Sequence, residues 1–144
     1  MPENIKTFQM AKLLNRYYEK VGMAFSGNGA CPKAVEFRAG FGLVDDTDPA
    51  NPTLLNIPAD LTQVPNEFFR AFVETSYSNG NAVCKCSIPQ GSVASPQRYN
   101  LVGICDQDGD LIAVCTTLPD WATPTKAQEA YASLTFPLEE VTGV

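Results

Sequence analysis

The sequence predicts one α+β domain over residues 1–144: an N-terminal helix followed by a mainly antiparallel β-sheet or sandwich built from hairpins. Three observations predict it. Apolar residues fall at helical spacing over about 4–21, and the period then changes to two. Finally, two turn signals, Asn79-Gly80 and Asp108-Gly109, sit between alternating apolar runs. A chain of 144 residues suits one modest core, and 44% apolar with 18% charged residues is globular composition rather than disorder.

In the first element Met10, Leu13, Leu14, Tyr17 and Val21 share a helical face, extended by Ile5 and Phe8. Asn4 is the expected N-cap and Gly22 the expected stop. "SGNGACP" follows as a turn, since it carries neither the G-K-[ST] ending nor the G-x-G-x-x-G order of a phosphate cradle. "VEFRAGFGL" (Val35 to Leu43) alternates as a strand with one buried face. About 45–66 reads as a long irregular excursion rich in Pro, Asp and Asn, with Pro49 and Pro52 as candidate interface residues. Its Asp45, Asp46 and Asp48 read as a solvated loop, because no Glu follows at ligand spacing.

A β-rich part is expected over about 68–138. "FFRAFVETSYS" and "NAVCKCSIP" form a hairpin about Asn79-Gly80. "RYNLVGIC" and "LIAVCTTLP" form a second about Asp108-Gly109. "DWATPTKAQ" is then a loop, and "AYASLTFPL" a last strand placed at an edge because Pro137 lacks an N–H. Trp121, in that loop, is the one strong aromatic candidate for an interface.

Several chemistries are excluded or disfavoured. A net charge of −6 repels phosphate backbones, so nucleic acid is not an expected partner. No stretch reaches the roughly 20 apolar residues that span a bilayer, and the N-terminus lacks a secretory signal, so synthesis in a cytoplasm without membrane insertion is expected. Histidine is absent, which removes Ser-His and Cys-His catalysis and His-ligated zinc. No enzyme, cofactor or metal is expected.

"CDQDGDLIAVC" (Cys105 to Cys115) offers three sharper readings. A calcium loop starting at Asp106 would use Asp106, Asp108 and Asp110, but it needs Glu at position twelve, where Thr117 stands, and a glycine at the sixth position, not the fourth. A disulfide fails on register. With a two-residue loop, Cys105 opposes Ile112 and Cys115 opposes Val102, which places the two cysteines on opposite faces; shifting the loop by one residue restores a common face but leaves them several rungs apart. A redox pair lacks a cation to favour the thiolate. A hairpin turn remains. Cys84 and Cys86 share one face roughly 7 Å apart, too far for a routine disulfide. With five cysteines, two readings stay open: buried free thiols, or inter-strand or inter-subunit disulfides among Cys31, Cys84, Cys86, Cys105 and Cys115 that form in an oxidising exterior.

The stretch from Tyr99 to Glu140 resembles the N-terminal domain of phage tail-collar fibre proteins, which serve contractile-tailed phages and R-type bacteriocins. Gly103, Asp106, Asp108, Gly109, Leu111, Ile112, Ala113, Val114 and Pro119 occupy the positions of the family's glycine-bearing strand, D-x-D-G turn, L-I-A-V run and following proline. "FFRAFVETSYSNGNAVCKCSIP" is similar to its paired strands ending in x-I-P. The resemblance implies a structural virion protein, an adaptor or attachment domain joining tail fibre to baseplate or collar, in a tail assembled in the bacterial host cytoplasm. Its implied partners are other tail proteins and further copies of itself, commonly as a trimer. Because the family domain usually precedes a fibre shaft and this chain ends at Val144, a short stand-alone relative is expected. The alternative is a receptor- or carbohydrate-binding module of a tail tip.

Overall fold

A computed structural model describes residues 4–136. Two strands, β1 (Asn4–Thr7) and β2 (Met10–Leu13), precede the one helix, α1 (Asn15–Phe25). Then come β3 (Glu36–Gly40), β4 (Val44–Asp45), β5 (Thr53–Leu54), β6 (Phe69–Phe72) and β7 (Glu74–Ser78). The chain continues through β8 (Asn81–Ile88), β9 (Gln97–Cys105), β10 (Leu111–Ala122) and β11 (Gln128–Thr135). Among the described residues the protein is thus mostly antiparallel β-structure with a single short helix, less helical than α+β implies.

Two larger sheets carry the fold. One has the order β1-β11-β8-β7 and the other β2-β10-β9-β3-β6, while β4 and β5 form a small ribbon of their own. Between the larger sheets lies a core in which Phe37, Ile104 and Cys115 of one meet Cys84, Cys86 and Ala132 of the other. A second core lies on the opposite face of the five-stranded sheet. There Leu101, Cys105, Leu111 and Val114 pack beneath Leu14, Ile57 and Val64. The β9–β10 hairpin is therefore buried on both faces, and its residues from Tyr99 to Asp106 and Leu111 to Thr117 are buried without a break. That is why it reads as near-continuous apolar sequence rather than a clean alternation.

The N-terminal expectation is corrected. Residues 4–7 and 10–13 are strands, and the helix begins only at Asn15, with Leu14 at the N-cap position in place of Asn4. Long-range pairing overrides the local helical spacing: β1 runs parallel to β11 (Asn4↔Gln128) and β2 antiparallel to β10 (Met10↔Thr116). Gly22 lies inside α1, which ends in a Schellman-type closure. Gly27 N–H donates to Ala24 O at 3.1 Å and Asn28 N–H to Met23 O at 2.8 Å.

The first predicted hairpin is present, with Asn79 (φ 51°) and Gly80 (φ 83°) both in the left-handed region that a type I′ turn requires. Its first arm, however, is two strands. At Val73 the chain passes from β6 in one sheet to β7 in the other, a switch that alternation alone does not signal. The expected strand from Val35 to Leu43 is shorter, Glu36–Gly40, and Leu43 turns out of it with φ 55°.

The second hairpin has a five-residue loop, 106–110, closed by Cys105↔Leu111, rather than a two-residue loop. A bulge at Ile112 restores Cys115↔Val102, as expected, and moves Cys105 from Ile112 to Leu111. Cys105 and Cys115 lie in different cores on opposite faces of their sheet, as register predicts. β10 also runs on to Ala122, so Pro119 and Trp121 belong to a strand, after a register shift between Thr116 and Asp120.

The last strand is Gln128–Thr135 and lies between β1 and β8, not at an edge. Pro137 and Leu138 lie outside the described residues. The excursion 45–66 is irregular apart from the end of β4 and its partner β5, but it is not merely solvated. Its Ile57 and Val64 are buried and form the roof of the second core.

That roof comes so close that glycine is required beneath it. A Cβ on Gly103 would stand 2.3 Å from Val64 Cγ2 and 2.6 Å from Leu111 Cδ1. Gly103→Ala is therefore an overpacking change costing about 2 kcal/mol, or a Tm fall of roughly 6 °C for a chain of this size. Thermal melts of the double-mutant cycle check the cause. Val64→Ala costs less in the Gly103→Ala background than in the wild type, whereas additive losses would place the strain elsewhere.

Candidate functional site

The loop after Cys105 builds the most chemically distinctive site. Asp106 is buried (2% exposed), and its carboxylate organises the turn: Oδ1 accepts the N–H groups of Asp108 and Asp110, each at 3.0 Å. Backbone bonds from Asp106 N–H to Asp110 O and from Gly109 N–H to Asp106 O, both 3.0 Å, close the loop. Asp at every second position then points three carboxylates inward, with one oxygen from each within 4.8 Å of the others.

Such convergence of acid needs a cation, and the chain provides its own. Lys20, buried on α1, places its Nζ 2.5 Å from Asp106 Oδ2, 2.6 Å from Asp110 Oδ2 and 3.0 Å from Asp108 Oδ2. Arg16, one helical turn earlier, donates to Asp110 Oδ2 through Nε at 3.3 Å and Nη2 at 3.2 Å. Burial works to lower the Lys20 pKa, but hydrogen bonds to Asp106, Asp110 and Asp108 outweigh it and raise it. The Lys20 hydrogen bond, against the effect of burial and with help from Arg16, holds Asp110 below the ordinary carboxylate value. An ammonium held charged is neither a general base nor a nucleophile. Chemically, the arrangement is an ion-pair clamp tying the helix to the hairpin loop.

Spacing alone rejected an EF-hand here, and the loop is indeed followed by a strand. What spacing did not show is the convergence, because its fourth member lies 86 residues away on the helix.

The remaining candidates are dispersed. Cys31 is exposed; Cys84, Cys86, Cys105 and Cys115 are buried; all five are free thiols. Burial pushes the Cys105 thiol up to about 11, Arg38 opposing and Glu36, Asp106 and Glu67 adding to it, so this thiol stays protonated near neutrality. Burial likewise raises Cys84, Cys86 and Cys115. Only Cys31 is placed to meet another chain.

Trp121 is 53% exposed and lies across the ladder from Arg98. The Arg98 guanidinium stacks 4.7 Å from the Phe41 ring centroid and pairs with Asp46 at 2.7 Å. Arg98 thus ties the excursion that carries Pro49, exposed, and Pro52, half-buried, to the strand pair bearing Trp121.

A cleft of about 430 Å³ opens between the two sheets, lined by Tyr17, Tyr77, Cys84, Ile104, Leu134 and Phe136 among others. Sequence reading missed it, since its walls come from seven separate elements and the loop before β3. Among the described residues, no helix is long and apolar enough to cross a membrane. Comparison with protein-family models, with curated proteins and with solved structures found no match to this chain.

Lys20→Met leaves Asp106 as a buried carboxylate without its counter-charge, a loss of about 3 kcal/mol at neutral pH. The pH dependence has a definite sign. Asp110 is depressed, so its contribution is complete above its ordinary value of 3.8 and disappears as pH falls through the lower folded value. Lys20 is raised, so its contribution is complete below 10.5 and lost only at still higher pH. Denaturant unfolding across pH is expected to show a constant gap between wild type and variant from about pH 5 to 9 that narrows below pH 3.8. A gap unchanged at acid pH would contradict the clamp.

Proposed function

We propose that this chain is a structural, non-enzymatic component of a phage tail, an adaptor or attachment domain that joins a tail fibre to the baseplate or collar. The observation that carries the reading is the family-like hairpin and the use the fold makes of it. Gly103 admits the roof residue Val64, Asp106 organises the loop, and Asp108 joins it to α1. Leu111 and Val114 face one core, while Ile112 and Ala113 face the other. Residues shared with the tail-collar pattern thus do architectural work, as expected where shape rather than catalysis is the function. In this reading the protein acts as a homo-oligomer among other tail proteins, in the virion tail, after assembly in the bacterial cytoplasm. Its net charge of −6 favours protein partners over nucleic acid.

Trp121 favours a second reading, a receptor- or carbohydrate-binding module of a tail tip. A half-exposed indole beside Arg98 is the kind of group that stacks on a sugar ring or anchors a protein partner. Gradient sedimentation of particles from the producing host separates these readings. The adaptor reading expects the chain to travel with assembled tails, and deletion of its gene to leave tails without fibres. Recovery only at the top of the gradient would contradict both. A Trp121→Ala protein that keeps fibres attached but abolishes host adsorption would favour the tip module.

A further inference from the structure

Among the described residues nothing covers the edge strand β7, and its one charged residue, Glu74, stands at its end. All five of its residues, Glu74 to Ser78, are exposed, and they include no proline, no lysine and no bulge. Natural sheets normally protect such an edge with one of those devices, because unpaired N–H and C=O groups invite another strand. Its own hairpin sets which groups are unpaired. Ser78 and Asn81 flank the two-residue turn and exchange hydrogen bonds, so by alternation Ser76 and Glu74 also bond inward to β8. The N–H and C=O of Thr75 and Tyr77 therefore point outward, without a strand partner among the described residues.

We propose that β7 pairs with β7 of a second copy of this chain, antiparallel about Ser76, joining the two four-stranded sheets into one across a two-fold axis. That register is the one the free groups fit. Thr75 opposes Tyr77 of the second copy and Tyr77 opposes its Thr75, so all four outward groups on each copy find partners. Ser76 faces its own symmetry mate in a non-hydrogen-bonded pair. Charge agrees with the register. The single carboxylate, Glu74, opposes the neutral Ser78 and stands about 13 Å from its counterpart, beyond the screening length of about 8 Å at physiological salt. It also has Lys85 of its own chain 3.7 Å away.

Side chains add a second reason. Thr75 and Tyr77 lie on the same face of the sheet as the buried Cys84 and line the mouth of the apolar cleft. Pairing through Thr75 lays the Tyr77 ring of the second copy against that mouth, which covers a ring now 58% exposed. The dimer goes beyond the tail reading and does not rest on it.

The test uses the full chain in a Cys31→Ser background, which removes the exposed thiol. Light scattering is expected to give twice the 15.6 kDa chain mass, and Thr75→Pro, which alters an outward N–H that an edge strand can spare, to give a folded monomer. Ser76→Cys places two sulfurs on facing residues whose Cα atoms are about 4.5 Å apart, within disulfide reach. It is expected to cross-link to completion on mild oxidation, while Glu74→Cys does not. A monomeric or trimeric parent, or equal cross-linking of the two cysteine variants, would overturn the proposal.

Discussion

From Tyr99 to Cys105 and from Leu111 to Thr117 the β9–β10 hairpin has no face left for water. One side lies against the four-stranded sheet and the other against a roof formed by Leu14, Ile57 and Val64. Burial on both faces makes its register unforgiving, since a slip of one residue exchanges the two apolar sets and breaks both cores together. It also explains a glycine in the middle of a fully buried strand. At Gly103 the roof approaches so closely that any side chain would enter Val64, and Gly40 on β3 is held the same way, 2.2 Å in Cβ terms from the Pro65 carbonyl oxygen.

Polar groups close the ends of this layer. At one end Lys20 and Arg16 clamp the acidic loop to α1. At the other, buried Asn100 substitutes for a ladder rung, its side chain exchanging two 2.9 Å bonds with the backbone of Gly42. Tyr99 donates to Gln128 Oε1 at 2.7 Å, and Gln128 donates to Trp121 O at 2.7 Å, which joins the sheets through a satisfied network. The site is thus read most simply as part of the scaffold: charges brought together to hold a shape.

What was legible in the sequence was what is decided locally. Asn79-Gly80 named its hairpin because its backbone conformation is a property of those two residues. Cys84 and Cys86 on one buried face followed from a period of two, whereas Cys105 and Cys115 lie on opposite faces because the bulge at Ile112 offsets the five-residue loop. What was hidden depends on distant partners. Residues 4–13 carry a helical pattern but form strands because β11 and β10, more than a hundred residues later, supply the missing hydrogen bonds. Val73 ends the apolar run Ala71-Phe72-Val73, but the change of sheet is set by the distant strands paired on either side of it, β3 before and β8 after. Ile57 and Val64 are isolated apolar residues among prolines, and only the sheet beneath shows them to be a roof. Lys20 carries no local signal of burial, because the carboxylate that accommodates it, Asp106, lies far along the chain.

The central claim is that the excursion and the twice-buried hairpin form one cooperative unit. Hydrogen exchange in increasing denaturant tests it most directly. The informative amides are Phe41, bonded to Pro65 O at 3.1 Å, and those of Val102 to Ile104 in β9. If roof and hairpin are one unit, these amides lose protection together, with the same dependence on denaturant. If Phe41 exchanges through a low-energy opening while β9 stays fully protected, the roof is an appendage and the account is wrong.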